Sequence, residues 1–169
     1  MVDALFLAVK VLHVTFASMW VGGGLLNLIV LQPALAKATM GTRQEAMGRL
    51  MPAMFLFNNA VGGLVLLTGL LLVTVHPFGW AAVNESAWGR VILFALIATL
   101  AALYLSATSI RATLKALGKA TAALQPAEEW PPNVRFLQAR LRVTILLVNG
   151  LVLLVLFVMV LANVLFAGP

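Results

Sequence analysis

The sequence predicts an all-α fold, an integral membrane four-helix bundle running up-down-up-down. Three observations carry this. Of the 169 residues, 63% are hydrophobic and only 9% charged. Mean hydropathy is +1.07. The apolar residues also gather into four long runs rather than spreading along the chain. A soluble domain carries roughly 25% charged residues. So little polar surface cannot cover so apolar a core, which leaves lipid to cover it.

Each run is long enough to cross about 30 Å of hydrocarbon. The first extends from about Ala4 to Leu31 and is expected to stop before Pro33. The second, Met51 to Val75, ends at His76-Pro77, and the third spans about Trp88 to Ile110. The fourth, Val134 to Phe166, follows a break at Gln125 to Asn133 rich in Glu, Trp and Pro. Residues 1–169 therefore read as a single transmembrane domain. The opening segment has Asp3, no basic stretch and no small-residue cleavage site, so the first helix is expected to be retained.

The distribution of basic residues predicts an orientation. Lys37, Arg43 and Arg49 follow the first run; Arg111, Lys115 and Lys119 follow the third; Arg135, Arg140 and Arg142 open the fourth. Short loops rich in Lys and Arg stay in the cytoplasm. The expectation is a multi-pass protein of the cell inner (cytoplasmic) membrane with both termini outside. Trp80 and Trp88 then suit the outer interface and Trp130 the inner one. A net charge of +6 would suggest nucleic acid in a soluble chain. Here the charge sets topology, and the bilayer, not nucleic acid, is the expected partner.

Few residues can carry chemistry. The chain has no cysteine, which excludes disulfides, thiolate metal sites and iron–sulfur clusters. The runs hold no acid beyond Asp3 and the edge residue Glu85, which argues against a carboxylate proton relay or a cation pump. No hydrolase triad, phosphate loop, dinucleotide fingerprint or zinc-protease motif is present.

What remains is a polar stripe on the first helix. His13, Trp20, Gly24 and Asn27 are spaced by seven, four and three residues, which at 100° per residue places them on one face. Intramembrane ionisable groups face the bundle interior and are functional by default. Neutral imidazole is the commonest metal ligand, so His13 is a candidate haem or metal ligand. The bland alternative is a packing histidine. The second helix carries Asn58, Gly62, Gly69 and His76 on another stripe. His76 is a second candidate ligand or simply the cap of that helix. A bis-imidazole haem would have to overcome a depth offset of about 5–10 Å between them.

Arg90, at the outer start of the third helix, suits a propionate, and so in principle does Arg142, on a fourth-helix stripe with Asn149 and Asn163. Met19 is a candidate soft ligand beside His13. Met47, Met51 and Met54 suit Cu(I) in spacing, but such a stripe is more often packing.

Lys10-Val11-Leu12-His13, then Trp20 and Gly22-Gly23, resembles the first helix of two related membrane families, the copper-resistance protein D (CopD-like) family and the HemJ-type protoporphyrinogen oxidases. Trp88-Gly89-Arg90-Val91-Ile92-Leu93 and Arg140-Leu141-Arg142-Val143 are similar to the third- and fourth-helix openings of the copper-resistance type. The resemblance implies a four-helix layout and a haem-associated role for His13, with Trp20 and the glycines packing around it. These families usually carry a lysine inside the third helix, where this chain has Phe94 and Ala95. The HemJ type has an Asn-Glu pair in the fourth, where this chain has Asn149-Gly150. Protoporphyrinogen oxidase activity is therefore not expected, and no other enzyme activity is indicated.

The leading expectation is a haem-b-binding or redox-accessory membrane protein, with its site near the outer leaflet around His13. The alternatives are a copper-handling membrane protein using His13, His76 or Met19, and a cofactor-free structural subunit of a membrane complex whose polar stripes only hold helices together. A redox partner, a larger membrane complex and a homo-oligomer stay open as partners.

Overall fold

The computed structural model describes residues 4–76, 79–122, 124 and 130–166. The side chains at 82, 84 and 163–166, and with them that of Asn163, lie outside the description, as do residues 125–129 of the expected break. The described residues form helices and connections without a strand. We label the helices α1 (Ala4–Lys37), α2 (Met40–Val75), α3 (Gly79–Glu85), α4 (Ala87–Ala122) and α5 (Pro132–Phe166). The four long ones have the length and apolarity to cross a membrane, and the chain is a multi-pass, all-α four-helix bundle.

Helix α1 packs along α2, and α4 along α5; smaller α2–α4 and α1–α5 contacts close the ring. Leu56, Ile97 and Phe157 are each more than half exposed on the outside, as expected of side chains that meet lipid.

Three of the expected boundaries move. Helix α1 runs through Pro33 to Lys37, α2 starts at Met40 instead of Met51, and α4 continues to Ala122 instead of stopping at Ile110. The basic segments expected as loops are mostly helical extensions. At 1.5 Å per residue α4 is about 54 Å long, well beyond the hydrocarbon thickness. The tightest packing lies in this overrun, where Leu117 and Val134 are wholly buried against Met47, Met51, Leu114 and Trp130. Trp130, expected at an interface, is thus a core residue. The methionine stripe packs here too, with Met47 and Met51 buried.

The helices continue because their ladders widen locally. Segments Leu26–Leu31, Ala46–Leu50 and Ser106–Ile110 are π-helical, bonded i→i+5. A proline inside a helix removes one ladder bond and collides with the carbonyl four residues back. Pro33 and Pro52 each follow a wide turn that contains that carbonyl, on Ile29 and Gly48. In α4 the third wide turn is rich in hydroxyls, and Thr108 donates to the Tyr104 carbonyl at 2.7 Å. Such back-bonding competes with the ladder and bends helices.

The connections are short. Thr39 caps α2, accepting from the Thr42 amide at 3.4 Å, and the Arg43 guanidinium donates to the Ala36 carbonyl at the end of α1. Gly79, with φ +49°, takes the left-handed conformation that opens α3, a short helix where a loop was expected. Ser86 caps α4 through the Gly89 amide at 2.9 Å.

Candidate functional sites

The predicted site residues fall into two groups at different depths. The first is built on the α1–α2 crossing. His13 is half-buried, with Nδ1 3.0 Å from Thr68 Oγ1. The Thr68 hydroxyl donates its one proton to the Leu64 carbonyl at 2.7 Å, with Val65 O also near at 3.2 Å. With the hydroxyl proton so directed, the Thr68 oxygen accepts from the His13 tautomer that carries its proton on Nδ1. Gly69 makes the crossing close. A Cβ there would stand 3.2 Å from His13 Cε1.

His76 belongs elsewhere. It ends α2 in an extended conformation and packs between Phe6 and Trp88, with ring centroids 5.8 and 5.3 Å away. Seven residues separate it from Gly69, about 10 Å along α2. The two imidazoles therefore do not converge on one atom. Met19 is exposed, and six residues of helix turn it about 120° away from His13. Arg90 is exposed, two residues beyond Trp88.

Among the described residues no group of three or more His, Asp or Glu can cage a metal ion. A group that brings ligands of its own, such as a porphyrin, would ask less of the protein at His13 than a bare ion. Ligating histidines nearly always donate their other N–H to an orienting partner, the position that Thr68 takes beside Nδ1.

The second group lies toward the basic end, where all four long helices meet. Trp20, Asn27, Asn58, Asn59, Ser106 and Asn149 line a cavity of about 50 Å³, with Met51, Leu103 and Ile145 among its apolar walls. Trp20 and Asn27 are buried. Gly24 is the floor beneath Asn149: a Cβ on it would fall 1.8 Å from Asn149 Oδ1. A Cβ on Gly23 would stand 2.6 Å from Asn58 Oδ1, and one on Gly62 would stand 2.8 Å from the Trp20 ring. Asn59 donates to the Phe55 carbonyl at 2.8 Å and to Ser106 Oγ at 2.9 Å. Asn149 donates to the Ile145 carbonyl at 2.8 Å. Asn58 Oδ1 is buried with no hydrogen-bond partner.

The α1 stripe is thus divided. Trp20, Gly24 and Asn27 belong to the asparagine cavity, while His13 stands two helical turns beyond Trp20, against Thr68. Arg142 is exposed and is not among the lining residues. Three residues escaped the sequence reading. Thr68 adjoins Gly69 on the α2 stripe, and a hydroxyl beside a crossing glycine was its signal. Asn59 and Ser106 had none beyond polarity inside an apolar run.

Comparison with protein-family models, curated proteins and solved structures found no match to this chain. The likeness to the copper-resistance and HemJ types therefore rests on the residues quoted for it.

Proposed function

We propose that this protein is a membrane-embedded b-type haem protein, acting in electron transfer or as the redox accessory of a membrane complex, with His13 as its one protein axial ligand. The observation that carries the reading is the Thr68 contact, 3.0 Å from Nδ1, which with the proton on Nδ1 would offer Nε2 to a ligand. Haem supplies one-electron redox chemistry when bound. Thr68 fixes the ring and its tautomer, and Gly69 gives the ring its space. A copper centre draws less support, because His13, His76 and Met19 stand apart. In the proposed orientation the basic end faces the cytoplasm of a cell with an inner membrane, and His13 lies toward the outer leaflet.

The test is the absorption spectrum of the protein purified in detergent, before and after incubation with haem. A Soret band that disappears in His13→Ala and survives in His76→Ala is the expected result. A band indifferent to His13, or none at all, sinks the proposal. Stoichiometric copper without a Soret band would replace it with the copper reading, and neither signal would leave a structural subunit.

A further inference from the structure

We propose that the asparagine cavity is a binding site for a small monovalent cation, of the alkali or ammonium kind. The proposal does not depend on haem at His13. It starts from the donors. Four side-chain amides, Asn27, Asn58, Asn59 and Asn149, and the Ser106 hydroxyl reach one cavity of about 50 Å³. Two of the amides spend their N–H groups on carbonyls of their own helices, Phe55 and Ile145. That assignment is fixed by chemistry, since a carbonyl accepts only from the nitrogen. The oxygens of Asn59 and Asn149 are thereby left over, and the buried Asn58 Oδ1 is a third without a partner. A buried acceptor with nothing to accept from costs about 1–3 kcal/mol, so the lining calls for a ligand that oxygen atoms can hold.

The charge of the lining narrows the class. No Asp, Glu, Lys or Arg is among the residues that form it. Divalent ions are held mainly by carboxylates, of which the lining has none, and the Asn59 and Asn149 amides, already donating to protein acceptors, turn their oxygens over to a ligand. Neutral carbonyl oxygens are the ligands with which membrane proteins replace the hydration shell of monovalent cations. Trp20 adds an electron-rich ring of the kind that favours cations. The volume leaves room for an ion with a few waters, since one water occupies roughly 10–15 Å³ on this measure.

The backbone gives an independent indication. Asn27 lies within the first π-helical segment, Met51 directly follows the second, and Ser106 and Ile110 bound the third. Such turns are rare, occur often at functional sites, and divert backbone carbonyls from the regular ladder. The first and third bring residues of their own to the cavity, and the second ends one residue before Met51.

The experiment measures equilibrium binding of radiolabelled rubidium to the wild-type protein in detergent, with competition by potassium, ammonium, sodium and choline at constant ionic strength. Saturable uptake of about one ion per chain is expected, displaced by potassium or ammonium and not by choline. Asn149→Leu and Asn59→Leu should each weaken it at least tenfold. Gly63→Ala, where a Cβ meets nothing within 4 Å, should leave it unchanged. Asn58→Asp keeps the shape and adds a charge, so it should tighten rubidium binding and admit calcium. No saturable uptake by the wild type, or uptake that none of the asparagine changes alters, overturns the proposal. The wild-type measurement decides even if the leucine variants fail to fold.

Discussion

The His13 crossing and the asparagine cavity are both polar places in an apolar bundle, yet they are built in opposite ways. At the crossing one titratable side chain meets one hydroxyl and one glycine, and two helices suffice. In the cavity no residue is titratable, four helices contribute, and wide helical turns and close-approach glycines arrange the walls. At the crossing a change confined to His13 should leave the four-helix packing in place. The cavity holds its polar groups by packing them against the backbone of neighbouring helices, so its chemistry and the stability of the bundle are one matter.

The largest effect that would test this contrast is at Gly24. A methyl there would overlap Asn149 Oδ1 at 1.8 Å. The asparagine must move and surrender its bond to Ile145, or the helices must part. Gly24→Ala should therefore cost about 3 kcal/mol, at the upper end for overpacking, and thermal unfolding in detergent would show it as a clear fall in midpoint. Gly22→Ala is the control, since a Cβ at Gly22 meets nothing within 4 Å. It should be neutral or slightly stabilising, because alanine favours a helix over glycine by roughly 0.5–1 kcal/mol. Equal effects from the two changes would mean that α1 and α5 do not approach at Asn149.

Thr68→Val tests the other region. It keeps the shape and removes the acceptor for Nδ1–H. If His13 holds haem, affinity should fall about 10–100-fold, the usual cost of losing an orienting partner, while the thermal midpoint of the haem-free protein shifts little. A haem titration followed by the Soret band measures the first quantity, and a melt measures the second. An unchanged haem affinity would show that Thr68 does not orient the ligand.

The same contrast explains what the sequence could disclose. The fold was legible, because four apolar runs of bilayer length admit few other arrangements. The boundaries at Pro33 and Met51 were not. At Pro33 the rule that proline ends a helix assumes an intact ladder upstream, and the π-helical segment had already opened it. His13 was conspicuous through rarity alone, one ionisable group inside a span. Trp20, Gly24 and Asn27 were visible as a stripe with His13, but periodicity gives a face and not a depth. It could not show that these three look toward Asn149 while His13 looks toward Thr68. Asn59 and Ser106 were hidden for the same reason. Their roles arise from helix-to-helix register, which the periodicity of a single run does not carry.

Smaller effects separate the regions further. Ser106→Ala removes one of the two acceptors for the Asn59 amide and leaves the other, the Phe55 carbonyl. Because the second amide N–H then loses its acceptor, the loss should be about 1–2 kcal/mol, the cost of a donor left unpaired in a part-buried place. A loss several times larger would mean that the hydroxyl also holds the α2–α4 register.

The smallest effect expected is at Met19, and its size decides between ligand chemistries at the His13 end. Met19 is exposed and turned about 120° from His13 on α1. A thioether that faces lipid contributes apolar surface, which leucine supplies equally well. Met19→Leu should therefore leave both the melt and any Soret band within error, since volume-conserving apolar exchanges cost little. Copper bound through His13 would need a soft partner from another part of the chain or a second copy of it, and Met19 is the methionine nearest to His13 in sequence. A variant that lost copper at Met19 would bring the two side chains to one ion, which no single straight α1 helix permits. It would therefore argue for ligands shared between two chains and against the one-histidine haem site.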